Sequence, residues 1–489
     1  MGYKTGIARN QMILFPESLD EYINEDNPVR VLDAYVNSLE LYDLGFTKAT
    51  PSDTGRPPYS PYEMLKLYIY GYMNRIRSSR RLETETKRNV EVMWLMEKLS
   101  PDHKTISRFR KENAVVLKNV FRDFVKLCLK LGLYGRELAA IDGSKFKAVN
   151  STDRNLSKKE LNERINRLTA RIDEYMQQLN ETDAAEDNKC ERMAEADIRQ
   201  IVERLSTRKN TYKEYLEQLT ENEETQKSLT DPDARLMKDA KGFDVSYNVQ
   251  TSVDSKNKLI AEFNVTNDGN DMKQLTEMAT KTAEILESPN ITAAADTGYN
   301  NASEIAKCIE AGIVPQVAGS EGTLCIPCQA HEAEEITYHE NGKAVYIKER
   351  NIAICPMGNI LYPKHYKNSG RTAIYYNYTA CSNCTCRCTS VKYRTFAVRM
   401  KKAEFSKEYN TDDLHVKQVH IKPNPEIISR RKELAEHPFG TVKRAMDAGY
   451  LLTKGLEMVT GELSLAFLAF NIKRVINIMG TKKLIEAII

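Results

Sequence analysis

The sequence predicts an α/β fold in which an all-helical N-terminal region precedes a sheet-based core, and three observations predict it. Residues 1–135 place apolar side chains at helical spacing between capping signals. After Gly132 and Gly135 the pattern changes to short runs rich in apolar and β-branched residues, bounded by Gly, Asn and Asp. Between two of those runs, DMKQLTEMATKTAEILES reads as a helix of the kind that crosses over a sheet. At 489 residues the chain can bury a large core, and its size suggests about two to four structural units.

In SPYEMLKLYIYGYMN, Ser60 caps a helix, Pro61 fits its first turn and Glu63 completes an S-x-x-E box ahead of Met64, Leu65, Leu67, Tyr68 and Tyr72. RRLETETKRNVEVMWLME reads as the next helix. A Ser-Pro-Asp break follows, then a helix with Ile106, Phe109, Val116, Leu117, Val120, Phe124, Leu127 and Leu131 apolar. Helix, tight turn, helix is the outline of a DNA-reading unit, with Lys104, Ser107, Arg108 and Arg110 on the second helix's early turns. A plain helical bundle with a basic exterior has the same pattern.

Charge is unevenly divided. Residues 151–230 hold 18 acids against 14 bases, a balance of −4, so with a chain total of +3 the remainder carries +7. The cations cluster in NRIRSSRR, containing Arg77, Arg80 and Arg81, in SRFRKEN, and in ISRRK, containing Arg430 and Arg431. Such blocks suit a polyanion, because each neutralised phosphate releases counterions, and they equally suit solvated helix faces. No window reaches the roughly 18–20 apolar residues of a membrane span, and MGYKTGIARNQMILFPESL lacks a signal peptide's long apolar stretch, so a cytoplasmic protein without a membrane partner is expected.

LAAIDGSKFKAV, FDVSYNVQTSVD, KLIAEFNVTND and ITAAADTGYN read as strands of the core. After the first of them the core is interrupted. Leu161, Ile165, Leu168, Ile172, Met176 and Leu179 recur at intervals of three and four, and Ile198, Ile201, Leu205, Tyr212, Tyr215 and Leu219 form a second series beyond the polar ETDAAEDNK. Two helices joined by a polar loop make a helical hairpin suited to a spacer, a dimerisation arm or a DNA clamp. Further on lie Cys325 and Cys328, Cys355, and CSNCTCRC with Cys381, Cys384, Cys386 and Cys388. A C-x-x-C knuckle offers two thiolates to one tetrahedral ion, so two knuckles, or one knuckle with Cys355 and Cys388, would hold structural zinc. A reduced β subdomain without metal is the alternative.

Two carboxylates follow apolar runs, Asp142 in AAIDG and Asp296 in AAADTG. Carboxyl ends of strands are where open α/β sheets place ligands, and a following Gly gives room for a substrate backbone. Two such acids on neighbouring strands would bind Mg²⁺ ions suited to phosphodiester chemistry. Lys145 and Lys147, alternating on the strand, would meet phosphates. Glu433, Glu436, Glu457 and Glu462 offer a third acid, and Glu436 stands seven residues before Lys443, two turns apart on one helix face, with Pro438 and Gly440 between.

These stretches, RIRSSRRLE, PDHKTISRFR, AIDGSKFKA, TDPDARLMK with YNVQTSVD, ADTGY, EHPFGTVKR and GELSLAFLAFNIKR, resemble the DDE transposases of bacterial insertion sequences over nearly the full length. The resemblance implies an RNase H-like catalytic core, an N-terminal helical DNA-binding domain, and a triad of Asp142, Asp296 and Glu436 with Mg²⁺ or Mn²⁺; Glu462 is the reserve third acid. Lys443 matches the lysine of the family's Y-R-E-K signature, while Ser429 and Lys432 stand where its tyrosine and arginine would be, with Arg430 or Arg431 as substitutes. It further implies binding to inverted-repeat ends and target DNA as a homodimer, with cleavage and joining of 3′-hydroxyl ends. A nuclease without strand transfer and a transposase-derived DNA-binding protein are the alternatives. The expected division is a DNA-binding domain over 1–135, the core over 136–154 and 228–320, a helical hairpin over 155–227, a cysteine-rich β subdomain over 321–400 and catalytic helices over 415–489. From the cysteine spacing alone, the zinc set considered is one knuckle with Cys355 and Cys388, that is Cys355, Cys381, Cys384 and Cys388.

Overall fold

The computed structural model describes residues 18–46, 58–150, 155–183, 189–221, 226–239, 242–328, 334–339, 344–385, 388–412 and 414–489. The N-terminal stretch scanned for a signal peptide, the middle of the polar ETDAAEDNK loop, the side chains of Leu179 and Cys328, and Cys386 lie outside the described residues.

The N-terminal region holds α1 (Pro28–Asn37), α2 (Pro61–Met73), α3 (Ser79–Arg88), α4 (Val90–Leu95), α5 (His103–Glu112) and α6 (Leu117–Lys130). Four begin on a capping side chain: Asn27, Ser60, Asn89 and Asp102 accept the N–H groups of Val29, Tyr62, Glu91 and Thr105. Two stretches that read as single helices are broken. Asn89 turns extended and caps α4, dividing RRLETETKRNVEVMWLME into α3 and α4. Asn113 leaves helical geometry and its side-chain amide donates to the Phe109 carbonyl, separating α5 from α6. In both, an amide side chain competes with the helical ladder, which apolar periodicity does not register.

β1 (Leu138–Lys147) opens the core. The insert follows: β2 (Asn155–Ser157) and β3 (Gln226–Ser228) pair antiparallel at the base of α7 (Lys158–Asp183) and α8 (Lys189–Glu221), which pack through Leu161, Leu168, Tyr212 and Leu219. The sheet resumes with β4 (Arg235–Asp239), β5 (Gly242–Asp254) and β6 (Ile260–Thr266), then α9 (Leu275–Ile285), β7 (Thr292–Ala295), α10 (Ala302–Glu310) and β8 (Val314–Val317). Its spatial order is β6-β5-β1-β7-β8, with β4 sharing the outer edge of β5. β6, β5 and β1 are antiparallel, and β7 and β8 run parallel to β1, as helical crossovers require.

β9 (Gly322–Cys328) leaves the sheet as a two-stranded ribbon with β16 (His415–Ile421). Between them lies an antiparallel meander of β10 (Ile336–His339), β11 (Ala344–Ile347), β12 (Ile352–Ile354), β13 (Ile360–Lys367), β14 (Thr372–Tyr376) and β15 (Thr395–Arg399), with the short α11 (Tyr378–Ser382) after β14. The ribbon returns the chain to α12 (Pro425–Gly440), which runs through Pro438 into a π-helical turn at Thr441–Ala445. α13 (Leu456–Met479) and α14 (Thr481–Ile488) end the chain.

The two faces of β1 serve different layers. Ala139 and Ile141 join the main core with Leu275 and Met278 of α9, whereas Leu138 and Ala140 pack under Leu434 and Ala435 of α12. α13 is buried along most of its length against α6, α2 and β6. A Cβ at Gly461 would stand 2.6 Å from the Ala114 carbonyl, so only glycine permits that approach. Buried ions fasten the layers: Glu262 meets Lys118 at 3.2 Å and Arg122 at 2.7 Å, and Arg77 meets Glu462 at 3.2 Å. Among the described residues no single helix is long and apolar enough to cross a membrane.

Candidate active site at the open edge of β1

Asp142 does not end its strand, as the sequence suggested; β1 continues five residues further, to Lys147. What ends is its neighbour. β7 pairs Ala294 with Ala140 and stops at Ala295, so Asp296 emerges beside Asp142 where the β7 edge of β1 falls open. Asp296 caps the turn that follows, accepting the Gly298 N–H at 2.9 Å.

A third carboxylate reaches this edge from the α9 side. Asp271, four residues before α9, accepts the side-chain amides of Asn248 and Gln250, each at 2.6 Å, and lies 3.7 Å from Lys145 Nζ. Its Oδ1 stands 2.6 Å from where a Cβ on Gly143 would be. The glycine after Asp142 thus makes room for Asp271. Tyr299, buried, donates to Gln250 Oε1, linking the turn after Asp296 to the same network. Burial pushes the Asp142 carboxyl up to about 6; the Arg431 guanidinium, 3.6 Å away, opposes this, and the charges of Asp296 and Asp271 reinforce it.

Among the described residues, Oδ1 of Asn248 and Nε of Arg431 are buried here without a hydrogen-bond partner. The one calls for a cation or donor, the other for an anion or acceptor. Carboxylate and amide oxygens are the donors that Mg²⁺ or Mn²⁺ takes, so the set fits such an ion in kind. Among the described residues, no three Asp, Glu, His or Cys side chains stand ready around one point.

Of the remaining predicted residues, Glu436 lies on α12, exposed, without a hydrogen bond or ion pair among the described residues. Lys443 does not share its helix face. The π-helical turn carries Lys443 to β1, where its Nζ donates to Ser144 Oγ and the Lys145 carbonyl, both at 2.6 Å, over the Phe146 ring. Burial brings its pKa down to about 8. Lys147 pairs with Asp244, and Arg430 donates to the Ser255 carbonyl. Glu462 is fully engaged as a structural anchor: it accepts from Arg77, from the N–H groups of Leu452 and Thr453, and from Thr453 Oγ1.

The expected basic face on the N-terminal helices needs correction at two positions. Arg80, Arg81, Lys104, Ser107 and Arg108 are exposed on α3 and α5. Arg77 and Arg110 are buried. Arg77 is held by Glu462 and the Tyr450 carbonyl, and Arg110 lies over the Tyr68 ring. Charge alone does not tell a surface cation from one neutralised inside.

Asp271, Asn248 and Gln250 were missed in the sequence. The signal for the two amides was present: in SYNVQTS, the polar Ser246, Asn248, Gln250 and Ser252 alternate along a strand on which all four are buried, so one face of a core strand serves something polar.

Two stretches of the chain match family models, residues 17–112 a transposase domain (DUF772) and residues 354–476 a transposase DDE domain. Both are transposase domains, the second of the DDE type, and together they support a DDE-type transposase of the insertion-sequence kind. The first match covers α1 to α5; the second covers Arg431, Glu436, Lys443 and the cysteines from Cys355 to Cys388, and neither includes Asp142 or Asp296. No curated protein and no solved structure matches the chain significantly.

Proposed function

We propose that this transposase binds the terminal inverted repeats of its element in double-stranded DNA, cuts phosphodiester bonds at the element ends, and joins the resulting 3′-hydroxyls to target DNA. The observation that carries the reading is Asp142 beside Asp296 at an open strand edge, reinforced by Asp271. The antiparallel run β6-β5-β1 followed by parallel β7 and β8 supports an RNase H-like core.

Asp142 and Asp296 would hold Mg²⁺ or Mn²⁺, Glu436 would complete the set as the resemblance implies, and Asp271 would steady it from the opposite face. Two bound ions supply activation of the attacking oxygen and stabilisation of the leaving one. The chain's own groups do the rest. Arg431, with an unpaired N–H facing the site, receives a non-bridging phosphate oxygen. Lys443 adds positive charge alongside β1. Exposed Arg80, Arg81, Lys104, Ser107 and Arg108 contact DNA from α3 and α5. Coordinated cutting of two ends calls for a homodimer on DNA, acting in the cytoplasm where that DNA lies.

The test supplies a duplex carrying the repeats that flank the gene, with Mg²⁺ and a target plasmid. Nicks at the repeat ends and plasmid joined to labelled 3′ ends are expected. Nicking without joining would reduce the protein to a nuclease, and binding without nicking to a DNA-binding protein.

A further inference from the structure

Outside the catalytic core, four thiols line one small cavity of about 10 Å³ in the β subdomain: Cys355, Cys381, Cys384 and Cys388, with Asn359, Thr389, Val391 and Lys392. They arrive from two separate places. Cys355 follows β12 and opens a tight turn in which the Gly358 N–H bonds the Cys355 carbonyl and the Cys355 N–H bonds the Asn359 carbonyl, with Gly358 at φ 72°. Cys381 and Cys384 come from the end of α11 and the residues after it, three apart, and Cys388 lies just beyond.

Cys355 is buried in the core of the sheet, so its thiol is fixed by the sheet while the other three, partly exposed, come from the segment after β14. Cys325, on β9, has a different role: its S–H donates to the Cys355 and Pro356 carbonyls, as a protonated packing group does. The described cysteines are thiols, not disulfides.

Energetics point the same way. The core of this sheet consists of Ala344, Tyr346, Ala353, Cys355, Leu361, Ala373, Tyr375, Phe396 and Val398, with no buried residue from α11. A five-residue helix followed by an irregular stretch to β15 has little apolar surface to hold it down, and such small units depend on a staple.

We infer that Cys355, Cys381, Cys384 and Cys388 hold one structural zinc ion in tetrahedral coordination, fastening α11 and the following loop onto the turn after β12. Among the described residues the four sulfurs line the cavity without converging on one point. Cys381, Cys384 and Cys388 are partly exposed, and rotation about their side-chain bonds is the motion that closes the set. Binding releases the thiol protons to solvent as four Zn–S bonds form.

The test uses the full chain, purified under reducing conditions without chelator. Elemental analysis is expected to give about one zinc per chain, and Co²⁺ exchanged into the protein should show the thiolate-to-cobalt charge-transfer and tetrahedral ligand-field bands of a four-sulfur site. Alkylation mapped by mass spectrometry should find the four cysteines protected with zinc and reactive after its removal, a readout that needs no variant. Cys384→Ser should lose the ion, while Cys325→Ser and Asp142→Asn keep it, which separates this site from the carboxylates of β1. Zinc-free protein without cobalt bands, full zinc in Cys384→Ser, or zinc lost with Asp142→Asn would each overturn the assignment.

Discussion

At the scale of single residues, burial pushes the Asp142 carboxyl up from its ordinary 3.8 to about 6. Between about pH 4 and 6 the folded, metal-free chain keeps a proton that the unfolded chain has released, so stability falls as pH rises through that window and the deficit persists above it. A shift of that size corresponds to at most about 3 kcal/mol. Asp142→Asn should therefore stabilise the metal-free protein by roughly 1–3 kcal/mol at pH 7.5 in urea unfolding, with no gain below about pH 4. Asp271 and Glu436 make separable predictions. Asp271→Asn should weaken Mn²⁺ binding about 10–100-fold in titration calorimetry, as loss of a supporting carboxylate does. Glu436→Gln, at an exposed position, should leave thermal unfolding unchanged while cleavage of element ends is lost. Asp142 and Asp296 were legible because each follows an apolar run directly. Asp271 was not, since its place depends on an approach across β1 that Gly143 permits and on amides from β5, and neither is local in sequence.

At the scale of elements, the Ser60 capping box announced the start of α2 and the Ser-Pro-Asp break that of α5, but the breaks at Asn89 and Asn113 were hidden under continuous apolar spacing. The break before α6 matters to function because it leaves α5 a short helix beside α3, with Lys104, Ser107 and Arg108 on one exposed stripe. If that stripe meets phosphates, Lys104→Ala with Arg108→Ala should lower the slope of log affinity against log salt by about 2 and weaken binding to all sequences alike. An unchanged slope in fluorescence anisotropy would remove α5 from the DNA interface. Glu462 on α13 behaves as a structural element of the opposite kind. Glu462→Ala leaves Arg77 charged and buried and strips the Leu452 and Thr453 N–H groups, so a loss of about 3–5 kcal/mol is expected in denaturant unfolding. A near-neutral result would mean the Arg77 side chain escapes to solvent.

At the scale of the whole molecule, the described core is continuous from the N-terminal helices to α13, which joins them to the sheet, while the α7–α8 hairpin and the β10–β15 meander project from strand ends through β2–β3 and β9–β16. The α/β class and the order of segments were legible because each change of apolar period follows a change of element. The strand order was not, because β1 pairs with β5 across the whole insert and with β7 only after a further strand, β6, and the helix α9. The two transposase matches flank the stretch that holds both aspartates, so the catalytic assignment of β1 and β7 is the claim most in need of a direct test. That test is single-turnover cleavage of DNA bearing the element's ends, with wild type and Asp142→Asn compared at protein concentrations giving equal DNA binding. The account predicts unchanged binding and a rate lower by about a thousandfold or more, several kcal/mol of lost transition-state stabilisation; cleavage by Asp142→Asn at the wild-type rate would contradict it.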